Sequence, residues 1–113
     1  MSKMMQPIVL PENVQNFYQA NAENISLVIP KFFTSDAIVK DENIKYVGHT
    51  EICKWLSDAI AKYKFKAEPL KVLETNEYFS VLTKVSGDFP NSPIEITYQF
   101  KLRNNQIAAL EIF

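Results

Sequence analysis

The run Asp36-Ala37-Ile38-Val39-Lys40-Asp41, followed by Ile44-Lys45-Tyr46-Val47 and then Gly48-His49-Thr50-Glu51-Ile52, decides the fold. In its first part side chains alternate: Ala37, Val39 and Asp41 fall on one face, Ile38 and Lys40 on the other, as in a strand. Glu42-Asn43 is a turn, and residues 44–47 form a short second strand. Beyond Gly48 the period changes. Ile52, Trp55, Leu56, Ala59, Ile60 and Tyr63 recur at helical spacing and make one apolar stripe, the clearest amphipathic helix of the chain.

Toward the N-terminus, Ser35-Asp36 reads as the break after a helical region. Pro11-Glu12 opens a first helix, since proline suits the first turn and an acid there complements the helix dipole. Val14, Phe17, Tyr18 and Asn21 follow at helical spacing. A second helix is expected from Asn24 or Ser26 to Phe33, buried through Leu27, Val28 and Phe32. Pro30 lies inside it and predicts a kink or a short, tight helix. Residues 1–10 read as a loose lead-in, and residues 11–113 as a single domain.

Toward the C-terminus the period becomes two. Segments 65–75, 78–89, 93–103 and 106–113 read as strands. Thr75-Asn76-Glu77 and Asn104-Asn105 are hairpin turns, and Pro90-Asn91-Ser92-Pro93 is a wider one. Ile94, Ile96, Tyr98, Phe100 and Leu102 share one face of the third segment; Glu95, Thr97, Gln99, Lys101 and Arg103 share the other. Glu111 is expected on one face with Ile107, Ala109 and Phe113, either as a pocket acid or as part of a dimer surface. Helices first and a long meander after them predict an α+β fold, with a pocket between the helices and a curved antiparallel sheet.

Composition narrows the function. A chain of 113 residues, 47% hydrophobic and 22% charged, can bury a core without disulfides or metals. Twelve Lys and Arg against thirteen Asp and Glu give a net charge of −1. The basic surplus that neutralises phosphates is absent, so no nucleic-acid partner is expected. One cysteine, Cys53, and one histidine, His49, exclude an intrachain disulfide and a multi-cysteine or multi-histidine metal site. Cys53 reads as packing, since no partner would lower its pKa. The first residues lack the apolar core of a signal peptide, and no apolar run reaches the length of a membrane span. The expectation is a cytoplasmic protein without a membrane partner. No glycine-rich phosphate loop, serine nucleophile elbow or zinc-helix motif occurs, and no cofactor is signalled.

The pattern Asp36-Ala37-x-Val39-x-Asp41, then Tyr46-x-Gly48-His49-x-x-Ile52-x-x-Trp55, resembles the nuclear transport factor 2-like superfamily. Within it the chain looks like the SnoaL-like proteins, which include polyketide cyclases and ketosteroid isomerases. The resemblance covers residues 11–113. It implies a cone-shaped, cystatin-like sheet wrapped around three helices, and a homodimer formed through the outer face of the sheet. In the ketosteroid-isomerase-like enzymes the Asp ending the first strand is a general base that moves a proton between carbons next to a carbonyl. Asp41 occupies the matching position. That base works with donors that hold the developing oxyanion. One is a Tyr on the first helix; here Phe17 stands in its place and Tyr18 lies one step on, rotated by about 100°. The other is an acid on the penultimate strand, matched here by Tyr98, whose phenol can donate a hydrogen bond.

The resemblance thus implies a small-molecule pocket protein: an isomerase, cyclase or hydratase acting beside a carbonyl of a small apolar molecule. Asp41 is then the base, Tyr98 the oxyanion donor and His49 an assistant. Phe17, Tyr18, Tyr46, Trp55, Tyr63, Phe100 and Glu111 are the ligand contacts. Each catalytic candidate has a structural alternative. Asp41 can cap a turn, His49 can accept a backbone N–H at a helix start, and Tyr98 can bond a backbone carbonyl. A non-catalytic ligand-binding or protein-interaction module of the same fold is the competing reading.

Overall fold

The computed structural model describes residues 9–113; most of the expected lead-in, residues 1–8, lies outside the described residues. The elements run α1 (Glu12–Tyr18), α2 (Ile25–Phe32), β1 (Phe33–Asp41), β2 (Ile44–Val47), α3 (Gly48–Tyr63), β3 (Lys66–Glu74), β4 (Phe79–Ser86), β5 (Ile94–Arg103) and β6 (Gln106–Ile112). The six strands form one sheet in the order β2-β1-β6-β5-β4-β3. The α+β class holds, with one difference from an all-antiparallel sheet: β1 and β6 run parallel, while the other four ladders are antiparallel. A parallel pair needs a long crossover, and here everything between β1 and β6 supplies it. Local alternation cannot report such a pairing.

Irregularities curve the sheet. Register shifts occur in β1 between Phe33 and Ile38, in the β3–β4 ladder between Pro69 and Lys71, and in the β5–β6 ladder between Lys101 and Leu102. Extra residues of this kind bend a strand and raise its twist. Pro69 costs little because β3 is an edge strand. The concave face packs on the helices. Phe17 of α1 meets Phe33 and Phe100 edge to face, each at 5.7 Å between ring centroids. Helix α3 buries Ile52, Trp55 and Leu56 of its stripe.

Two local expectations change. The first strand begins at Phe33, so Ser35-Asp36 does not end a helix but lies in the irregular part of β1. There the Thr34 hydroxyl donates to Asp36 Oδ1 at 2.9 Å, and Arg103 Nη2 donates to the same oxygen at 2.6 Å. In α2, Leu27 is exposed and Phe32 only half-buried; Ile25, Val28 and Ile29, at positions i, i+3 and i+4, face the core instead. Among the described residues no helix is long and apolar enough to cross a membrane.

Candidate functional site

Register places the two principal candidates in one row. Asp41 of β1 pairs with Ile112 of β6, and Ile112 pairs with Tyr98 of β5. Partners in a row point to the same face, and neighbouring strands lie about 4.8 Å apart, so the Cα atoms of Asp41 and Tyr98 are separated by about 10 Å. Ile112 forms the floor between them. Both side chains line one cavity of about 260 Å³, closed by Trp55 and Tyr63 of α3, Phe17 of α1, and Phe89 in the β4–β5 connection.

Asp41 is only partly buried. Burial raises its pKa above the ordinary carboxylate value; a hydrogen bond from Trp55 opposes this, and the neighbouring Glu42 adds to the rise. The Trp55 indole N–H donates to Asp41 Oδ2 at 3.1 Å. A desolvated carboxylate that faces a cavity can accept a proton from carbon more readily than one in water.

Tyr98 is buried, and its pKa is pushed up by that burial and by the charge of Asp41, so its hydroxyl stays protonated at neutral pH. Its ring stacks on Tyr18, with centroids 5.5 Å apart and planes 17° apart. Tyr18 OH lies 2.7 Å from Thr83 Oγ1, and Thr83 Oγ1 donates its one proton to the Val81 carbonyl at 3.1 Å. The proton between the two hydroxyls therefore belongs to Tyr18. Its donor capacity is spent on Thr83, whereas Tyr98 has no hydrogen-bond partner among the described residues and keeps its proton for a ligand.

Five of the expected site residues lie elsewhere; one is Tyr18, which stacks behind Tyr98 and does not line this cavity. His49 sits in the first turn of α3 with Nε2 2.9 Å from the Phe33 carbonyl, at the opposite end of β1 from Asp41. It ties the helix start to the strand and is not beside the carboxylate. Phe100 is fully buried behind Phe17 and is core, not cavity wall. Glu111 lies on the outer face: it pairs with Gln99 and Lys40 and forms a 3.8 Å ion pair with the Lys40 ammonium. The reason is a bulge. Leu102 pairs with Ile107 and Lys101 with Ala109, so Ala108 is extra, and the residues beyond it change face relative to Ile107. Tyr46 packs on Trp55 at 5.9 Å in a neighbouring groove that meets the cavity only at Asp41, Glu42, Trp55, Ala59 and Tyr63.

Phe17, Trp55 and Tyr63 line the cavity with Asp41 and Tyr98. The sequence reading omitted Leu56, Phe65, Ile94, Ile96 and Ile112, which line it too. Ile94 and Ile96 were within reach, since alternation puts them on the Tyr98 face. Phe65, in the α3–β3 connection, carries no periodic signal.

No protein-family model matches the chain, and neither does any curated protein. Solved structures do. A candidate polyketide cyclase from Sinorhizobium meliloti is 35% identical with a TM-score of 0.86, over 92% of this chain and 95% of that one. A nuclear transport factor 2-like protein of unknown function from Cytophaga hutchinsonii is 15% identical with a TM-score of 0.73, over 97% and 93%. A candidate isomerase of the SnoaL-like family from Agrobacterium tumefaciens is 10% identical with a TM-score of 0.75, over 89% and 92%. The last two show the fold alone, whereas the first is similar in sequence over nearly its whole length. The chain belongs to one family with the candidate polyketide cyclase of Sinorhizobium meliloti and has the nuclear transport factor 2-like fold that SnoaL-like proteins share.

Proposed function

We propose that this protein binds a small, largely apolar carbonyl compound in the Asp41–Tyr98 cavity and moves a proton at the carbon beside the carbonyl, in an isomerisation, cyclisation or hydration. The observation that carries this reading is the row Asp41–Ile112–Tyr98: a partly desolvated carboxylate and a phenol with an unspent proton on residues whose Cα atoms are about 10 Å apart, across an apolar floor. Asp41 takes the proton, and Tyr98 donates to the oxygen on which negative charge develops. Trp55 holds the carboxylate through its N–H. The polyketide-cyclase relative supports the class of chemistry. The same reading includes a homodimer formed through the outer face of the sheet.

The test is hydrogen–deuterium exchange of an enolisable ketone, cyclohexanone, in heavy water, followed by NMR. Wild-type protein accelerates exchange. Asp41→Asn lowers the rate by about 10²–10⁴-fold, as for loss of a positioned base, and Tyr98→Phe by about 10²–10³-fold, as for loss of an oxyanion donor. A ketone that binds but does not exchange overturns catalysis and leaves a binding module. One feature favours that second reading: Tyr18, the phenol stacked on Tyr98, spends its proton on Thr83 and cannot serve as a second oxyanion donor beside it.

A further inference from the structure

A second cavity, of about 370 Å³, lies behind the first, between the end of α1, the later turns of α3 and the start of β3. Its own walls include Tyr18, Asn21, Ile60, Lys66 and Ala67, and it shares Phe17, Leu56, Phe65 and Tyr98 with the Asp41 cavity. Four shared residues mean that a single layer of side chains separates the two. Tyr98 is fixed by its stack on Tyr18, and Phe17 by its edge-to-face contacts with Phe33 and Phe100. Phe65 is held differently: it is half-buried, packs against the edge of the core and makes no ring–ring contact among the described residues. Its backbone is held by the close approach of Gly87, where an added Cβ would lie 2.9 Å from the Phe65 Cα. A fixed backbone and a half-buried ring with no aromatic partner make Phe65 the most readily moved part of the partition.

Size and charge point the same way. Ligand pockets usually measure about 300–1,000 Å³. The Asp41 cavity falls below that range alone and within it once joined to its neighbour. Its mouth carries two carboxylates, Asp41 and Glu42. Lys66 is the one charged residue lining the second cavity, and it forms no ion pair among the described residues. An anionic group is repelled at the first mouth and attracted at the second.

We propose that the two cavities are halves of one channel gated by Phe65, and that the channel takes an elongated carbonyl compound with a carboxylate tail, its carbonyl between Asp41 and Tyr98 and its tail at Lys66. This rests on the carbonyl-binding reading of the Asp41 cavity given above. Binding is measured by calorimetry with four probes: cyclohexanone, levulinate, a straight-chain oxodecanoate and the methyl ester of that oxodecanoate. Wild-type protein binds oxodecanoate about tenfold or more tighter than levulinate or the ester. Ala67→Trp, which fills the second cavity, removes the length advantage and leaves levulinate binding unchanged. Lys66→Gln removes the advantage over the ester. Phe65→Ala, which opens the partition and adds no bulk, tightens oxodecanoate; it tests the channel even where Ala67→Trp fails to fold. Cyclohexanone binding with no preference for length or charge overturns the channel and spares the proposed function. No binding of any carbonyl probe overturns both.

Discussion

Asp41 is held between opposing influences, and its stability and its chemistry should therefore separate. Burial raises its pKa above the unfolded value of 3.8. A carboxyl whose folded pKa is raised favours the native state most when protonated. Its contribution is present below pH 3.8 and is lost as pH rises through the raised folded value. Asp41→Asn, which keeps an acceptor for Trp55, should raise the melting temperature near neutral pH, and the gain should vanish in acid; calorimetry at both ends of that range checks it. On the proposed function the same variant should lose most of its exchange activity, so that a gain in stability would accompany a loss of activity. Trp55→Phe removes the bond that lowers the Asp41 pKa. The acid limb of the exchange profile should then move to higher pH, and an unmoved limb would show that Trp55 merely packs. Asp41 and Tyr98 were singled out by the family resemblance, and strand alternation gave only the faces on which they sit. The role of His49 did not, because its partner is the Phe33 backbone carbonyl, and no residue type at position 33 advertises a carbonyl.

Elements were legible where their period ran uninterrupted. The α3 stripe and the alternation of β5 translate directly into buried faces. Where a residue is inserted, as at Ala108, the count of two slips and later side chains are assigned to the wrong side. That slip, not any ambiguity about Glu111 itself, put Glu111 in the pocket. The junctions carry the remaining predictions. Lys64 ends α3 in the left-handed region with φ 48°, a conformation that costs a side-chain-bearing residue about 1–2 kcal/mol. Lys64→Gly should stabilise the protein by about 1 kcal/mol net of the entropy glycine loses, read as a higher denaturation midpoint. Gly87 is the opposite case. A Cβ there would lie 2.6 Å from the Tyr63 carbonyl oxygen, beside the bond that Asp88 N–H donates to the same oxygen at 2.7 Å. Gly87→Ala should cost about 1–3 kcal/mol, a fall in melting temperature of about 4–8 °C per kcal/mol. It should also disturb the cavity rim, where Tyr63 meets Phe89 edge to face at 5.9 Å.

Taken whole, the molecule has a concave face filled by helices and a convex face open to solvent. Across the convex face run rows such as Leu82–Thr97–Phe113 and Lys101–Ala109–Ile38, with apolar and charged groups interleaved. The proposed homodimer uses this face, and light scattering should give about twice the 13.0 kDa of one chain; a value near one chain's mass overturns it. Composition could bound the class of molecule, but it could not show that the two parts of the sheet are joined by a parallel pair, since residues 33 and 107 meet only in the finished fold. That pair has a consequence for biosynthesis. β1 is flanked by β2 and β6, and β6 follows all the other strands in chain order. On the ribosome the Asp41 strand therefore waits with one edge open until the segment beginning at Gln106 emerges. A nascent chain halted before that point has no floor beneath its carboxylate, and it displays an unpaired edge of the kind that recruits neighbouring copies. The strand that completes the cavity floor is also the one that covers the open edge of β1 in the newborn protein.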